Sequence, residues 1–172
     1  MANKDKGDLE IKAHKNIGVS DIMCSIRVTT VSIVLLEQAV SFLSSKKSKH
    51  YKICVVLAHT ALEVEVSRVE FAYLKHKGFA DDKIENFLRQ KTNIARENRK
   101  DAILLFELIT NHKLPDSIDF AKLRKMNDKR NGIVHKGEEA TKQEAKDAID
   151  FSGKAIKALQ IVLGGIGKKR IG

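Results

Sequence analysis

Between Lys129 and Gly137 the chain reads KRNGIVHKG, with an arginine, an asparagine and a histidine packed closely around a glycine. Arg130 carries planar, permanently charged donors that suit a phosphate. His135 can exchange a proton near neutral pH. Asn131 precedes His135 by four residues, which sets both on one side of a helical turn. Its amide can fix the imidazole tautomer or a substrate oxygen. These are the parts needed to cleave RNA without a metal. One group removes the ribose 2′-OH proton, the freed oxygen attacks the adjacent phosphorus, and positive donors hold the charge that builds on the phosphoryl oxygens. A positioned acid or base contributes roughly 10²–10⁴ in rate, and one well-aimed donor on the order of 10²–10³. DNA lacks the 2′-OH and would survive.

The surrounding residues extend this reading and also offer a plainer one. Lys122, Arg124, Lys125, Lys129 and Lys136 cluster around the motif and could track an RNA backbone. A solvated face would explain most of them equally well. The purely structural account of the motif makes Arg130 and Lys136 complements to the negative end of a helix, with Gly137 as its cap. His59 and Glu63, also four apart, can both reach a helical interior. There they form either a buried pair or a further part of the site. His14, His50, His76 and His112 fall near element ends or in the N-terminal tail and read as surface residues.

The elements that must position these groups are helical. Apolar residues from Ile22 through Ile26, Thr29, Ile33, Leu36, Val40 and Leu43 follow a 3–4 spacing, behind Ser20 and Asp21 as cap types. A second long helix spans about His50 to His76, with Val55, Leu62, Val66, Val69 and Tyr73 on one stripe and Gly78 as its stop. A short helix follows Asp81-Asp82 with Ile84, Phe87 and Leu88. Another runs roughly from Asn93 to Asn111 with Ile103, Phe106 and Leu108. Asp116 and Ser117 are the expected caps of a helix through Phe120, Leu123 and Met126 that reaches the motif. Thr141 to Glu144 is a capping box, and behind it Ile149, Ile156 and Leu163 recur every seventh residue. The expected fold is all-α, an antiparallel bundle of four main helices plus one or two short ones. Residues 1–18 form a polar N-terminal tail, 19–164 the bundle, and 165–172 a basic glycine-rich tail.

Composition agrees. The chain has 172 residues, 42% of them hydrophobic and 31% charged, and a single proline, Pro115. That is too few turn formers for a strand-rich domain. With 32 Lys and Arg against 22 Asp and Glu, the formal charge is +10, which favours a polyanionic partner. Aromatics make up only 5%, so base stacking is scarce and binding should be led by the phosphate backbone. Cys24 and Cys54 lie in apolar helical patterns without zinc-ligand spacing. They read as buried reduced thiols, which suits a cytoplasmic protein. No signal peptide, membrane span or cofactor is expected.

The Arg130–x4–His135 spacing, with polar Asn131 after the arginine, resembles the Arg-x4–6-His motif of HEPN domains. The continuation HKGEEATKQEAKDAIDFSGKAIKAL is similar to that family's glycine turn and capped final helix. VVLAHTALEVEVSRV resembles its glutamate-bearing helix. The likeness spans roughly Tyr51 to Leu163, and its specific part is the Arg–His segment. It implies a metal-independent endoribonuclease, often a toxin or antiviral effector, with two motifs facing each other across a homodimer. By that resemblance Arg130 binds and polarises the phosphate, His135 is the base or acid, Asn131 orients His135 or the substrate, and Glu63 steers the arginine or imidazole. Where toxins of this family carry a modifiable tyrosine two residues past the histidine, this chain has Gly137. Any antitoxin or regulatory partner must be a separate chain. A non-catalytic nucleotide- or RNA-binding module and a protein-interaction bundle remain the alternatives.

Overall fold

The computed structural model describes residues 30–45, 49–90 and 100–166. Among them are six helices and no strand: α1 Val31–Ser44, α2 Lys49–His76, α3 Asp81–Gln90, α4 Lys100–Thr110, α5 Phe120–Lys136 and α6 Lys142–Gly164. The expected tail 1–18, the helix start at Ser20, Cys24 and most of the tail 165–172 lie outside the described residues. So does the expected start of α4 at Asn93. No helix among the described residues is long and apolar enough to cross a membrane.

The central element is α2, against which α1, α3, α4, α5 and α6 all pack. Its sequence explains the position. Val55, Leu62, Val66, Val69 and Tyr73 are buried as the spacing requires, but Cys54, Ala58 and Ala61 are also sealed off. A helix with apolar and small residues on several faces must be covered on several faces, and the alanines let neighbours approach closely. Cys54 Sγ donates to Ala39 O of α1 at 3.3 Å, and burial pushes the thiol's pKa up. At the far end Tyr73 Oη donates to Val162 O of α6 at 2.8 Å.

Pairs of contacts fix the directions. Ser32 meets Glu65 and Ala39 meets Cys54, so α1 runs opposite to α2. Lys129 meets Glu144 and Met126 meets Ser152, so α6 turns back along α5. Along α6, Ile149 and Ile156 are buried and Leu163 packs on the core, as their seven-residue spacing predicts.

Three expectations are corrected. The cap of α5 is Asp119, whose Oδ1 accepts from the Ala121 and Lys122 amides, while Asp116 lies in the preceding turn with Ser117. Val40 is 46% exposed, and Ser32 and Ala39 are the buried positions of α1. Leu108 is 72% exposed, and Ala102, Phe106 and Ile109 make the inner face of α4. In the last two cases the period is right but the face pointing inward is set by where α2 lies, which periodicity alone does not reveal.

Candidate functional site on the fifth helix

The motif occupies the last two turns of α5. Gly132 does not interrupt the helix, which continues to Lys136 and ends where Gly137 takes a left-handed φ of 70°. The Gly137 amide donates to Ile133 O and the Glu138 amide to Gly132 O, closing the end with the paired bonds of a Schellman turn. This turn brings Glu138 back over the helix, and its carboxylate fills the place a β-carbon on Gly132 would take.

An unbroken α5 sorts its polar side chains by angle. At about 100° per residue, Arg124, Asn127, Asn131 and His135 share one stripe, while Lys122, Lys125, Lys129 and Lys136 share another. The five basic residues expected to act together therefore divide, with Arg124 on the motif stripe and the four lysines elsewhere. Arg130 and His135 leave the helix roughly 140° apart. Arg130 is nevertheless drawn toward the motif stripe, because its Nη1 donates to Asn131 Oδ1 at 2.9 Å. Asn131 Nδ2 in turn points at Asn127 Oδ1 across a long 3.5 Å. Asn127 is 7% exposed, so the stripe runs from interior to surface and ends at the exposed imidazole of His135. Arg130 Nε is buried and has no hydrogen-bond partner in the protein, an N–H that a ligand oxygen would satisfy.

Other expected members stand apart. Glu63 is buried on α2, its Oε1 3.8 Å from Nδ1 of the fully buried His59. This is a buried pair, one of the two arrangements their spacing allows. Lys129 is engaged: its Nζ lies 3.0 Å from Glu144 Oε1. That glutamate is already the capping-box residue of α6. The Thr141 backbone N–H holds its carboxyl below the usual range, and Lys129 helps against the opposing effect of burial. Lys122 lies 3.9 Å from Asp119, a loose surface pair. Two of the histidines taken as surface residues are half-buried. His50 sits edge-on to Phe42, and His112 edge-on to Tyr73.

Asn127 and Glu138 were missed from sequence. Asn127 was findable, since it precedes Asn131 by the spacing that links Asn131 to His135. Glu138 was not, because its placement depends on the turn at Gly137. No group of three or more metal-ligating side chains is gathered among the described residues. No protein family, curated protein or solved structure matches the chain.

Proposed function

We propose that the chain is a metal-independent endoribonuclease of HEPN type, a four-helix bundle that works as a homodimer in a toxin or antiviral role. The observation that carries the reading is the Arg130–Asn131 bond, which turns a guanidinium toward a side chain one helical turn from an exposed imidazole. His135 takes the proton from a ribose 2′-OH, and the oxygen attacks the neighbouring phosphorus. Arg130 donates to the non-bridging oxygens as negative charge grows on them. The O2′–P bond forms and the P–O5′ bond breaks, leaving a 2′,3′-cyclic phosphate and a 5′-hydroxyl. The departing oxygen needs a proton, and one imidazole that has just accepted a proton from O2′ sits on the wrong side to give it. A second copy supplies the second histidine. Arg124, on the stripe of Asn131 and His135, holds the RNA backbone, and Glu63 steers the arginine or the imidazole from α2.

The test is cleavage of a structured RNA and a matched DNA in EDTA, with product ends identified. RNA alone should be cut, to cyclic phosphate ends. Arg130→Ala and His135→Ala should each lower the rate on the order of 10²-fold or more with unchanged circular dichroism. A requirement for divalent metal, or full activity in either variant, would overturn the mechanism. Binding of RNA with no product would leave a non-catalytic module.

A further inference from the structure

The lysine stripe of α5 faces a different feature. Helices α5 and α6 both pack on α2 and only weakly on each other. Between them lies a groove of about 400 Å³. Its floor is apolar, made by Val55 of α2, Met126 of α5, and Ala148 and Phe151 of α6. Lys122, Lys125 and Lys129 form one wall. Glu144, Asp147 and Asp150 form the other, with Lys154 at its open end. The Lys129–Glu144 pair spans the walls and closes the end nearest the α5–α6 connection. Gln143 Nε2 donates to Asp147 at 2.7 Å. Lys125, Asp150 and Lys154 take part in no ion pair among the described residues.

From this we infer that the groove is the docking site for a short amphipathic helix of a separate protein, acidic along one flank and basic along the other. The charge pattern selects the occupant. A polynucleotide carries one sign of charge, and phosphates laid against the lysine wall would face Asp147 and Asp150 across the same slot. A helix can present both signs at once, its acidic flank over Lys122 and Lys125 and its basic flank over the aspartates. From Lys122 to Lys129 is about 10 Å of helix, room for two turns of a guest. Two turns place apolar anchors at i, i+3 or i+4, and i+7, which would rest on the small exposed edges of Met126 and Phe151, both otherwise buried, so the charged walls carry the selectivity. The inference stands apart from the proposed ribonuclease activity and can hold whether or not RNA is cut.

Three labelled helical peptides sharing the same leucine stripe test it against the full chain by fluorescence anisotropy. One has mixed flanks, one acidic flanks and one basic flanks. The mixed peptide should bind at least about tenfold more tightly than the others, with the preference shrinking in high salt. The Lys122→Glu/Lys125→Glu variant should lose that preference and favour the basic-flanked peptide. Asp147→Lys/Asp150→Lys should favour the acidic-flanked one. All four side chains are exposed, and circular dichroism verifies each fold. Equal binding of the three peptides, or none, would overturn the inference. So would displacement of the mixed peptide by single-stranded RNA, which would make the groove a polyanion site. A dimer dissociated by either variant would overturn it too, by assigning the groove to a second copy of this chain.

Discussion

Arg130 is held by its immediate neighbour, Nη1 donating to Asn131 Oδ1 at 2.9 Å. That bond needs an acceptor at Asn131, but not a charge. Asn131→Asp would keep that acceptor but give up the long Nδ2 contact to Asn127 Oδ1. It would also turn the Arg130 contact into an ion pair, offsetting the charge that Arg130 offers a phosphate in the proposed mechanism. Thermal stability should stay level or rise slightly, while RNA cleavage should fall on the order of 10²-fold. Cleavage at the wild-type rate would show that the Arg130–Asn131 contact is structural only.

Glu144 links the cap of α6 to α5. Its Oε2 accepts from the Thr141 amide at 2.7 Å and its Oε1 lies 3.0 Å from Lys129 Nζ. Glu144→Ala should cost about 1 kcal/mol for the cap, with little added by a partly exposed pair, lowering Tm by roughly 2–4 °C. Because the folded-state pKa lies below the ordinary 4.5, the ionised form favours folding. Its contribution is complete above that value and is lost as the pH falls through the lower folded one. Stability titrated from pH 6 downward should therefore fall less steeply in Glu144→Gln than in the wild type.

The two glycines of the motif should respond oppositely to alanine. Gly137 sits at φ 70°, where a β-carbon is strained, so Gly137→Ala should cost about 1 kcal/mol. At Gly132 the nearest atoms a β-carbon would meet are the far end of the exposed Glu138 side chain, which can swing into water. The gain in helix propensity is up to about 1 kcal/mol, so Gly132→Ala should be neutral or stabilising. It should leave cleavage unchanged, because Gly132 faces away from Arg130. Thermal melts of both variants check the pair, and destabilisation by Gly132→Ala would show that the Glu138 carboxylate cannot move.

Much of the all-α fold was legible because one signal dominates each long helix. The stripe from Val55 to Tyr73 gave α2 almost to the residue, and the Thr141–Glu144 box marked the start of α6. The shorter helices were less readable: Leu108 and Val40 keep the right period but lie on the outer side, a choice made by the position of α2. The sequence reading named Asp116 and Ser117 as caps and did not single out Asp119, because only the path of the turn shows which residue meets the first amides of α5. At the candidate site, the residue types were readable and their partners were not. Lys129 looked like its neighbours until α6 folded back and brought Glu144 beside it. The division of α5 into a motif stripe and a lysine stripe follows from helix geometry, but only once Gly132 is known to continue the helix.

The buried charge at the start of α1 gives the largest expected effect on stability. Glu65 is fully buried on α2, accepting from Ser32 Oγ at 2.6 Å and from Arg68 Nη2 at 2.6 Å and Nε at 3.1 Å. Ser32 lies in the first turn of α1, where a carboxylate also meets the positive helix end. Arg68 remains about one-third exposed, so its desolvation is partial, and losing its partner should cost less than the roughly 3–5 kcal/mol typical of buried pairs. Glu65→Ala should therefore cost about 2–3 kcal/mol, since it strands both the serine hydroxyl and the guanidinium. Glu65→Gln keeps an acceptor for Ser32 and should cost less. Ser32→Ala leaves both arginine bonds in place and should cost about 1 kcal/mol. Urea unfolding at constant m would rank the three. If Ser32→Ala matched Glu65→Ala, the stabilising contact would be the serine bond that joins α1 to α2, and the Arg68 pair would be incidental.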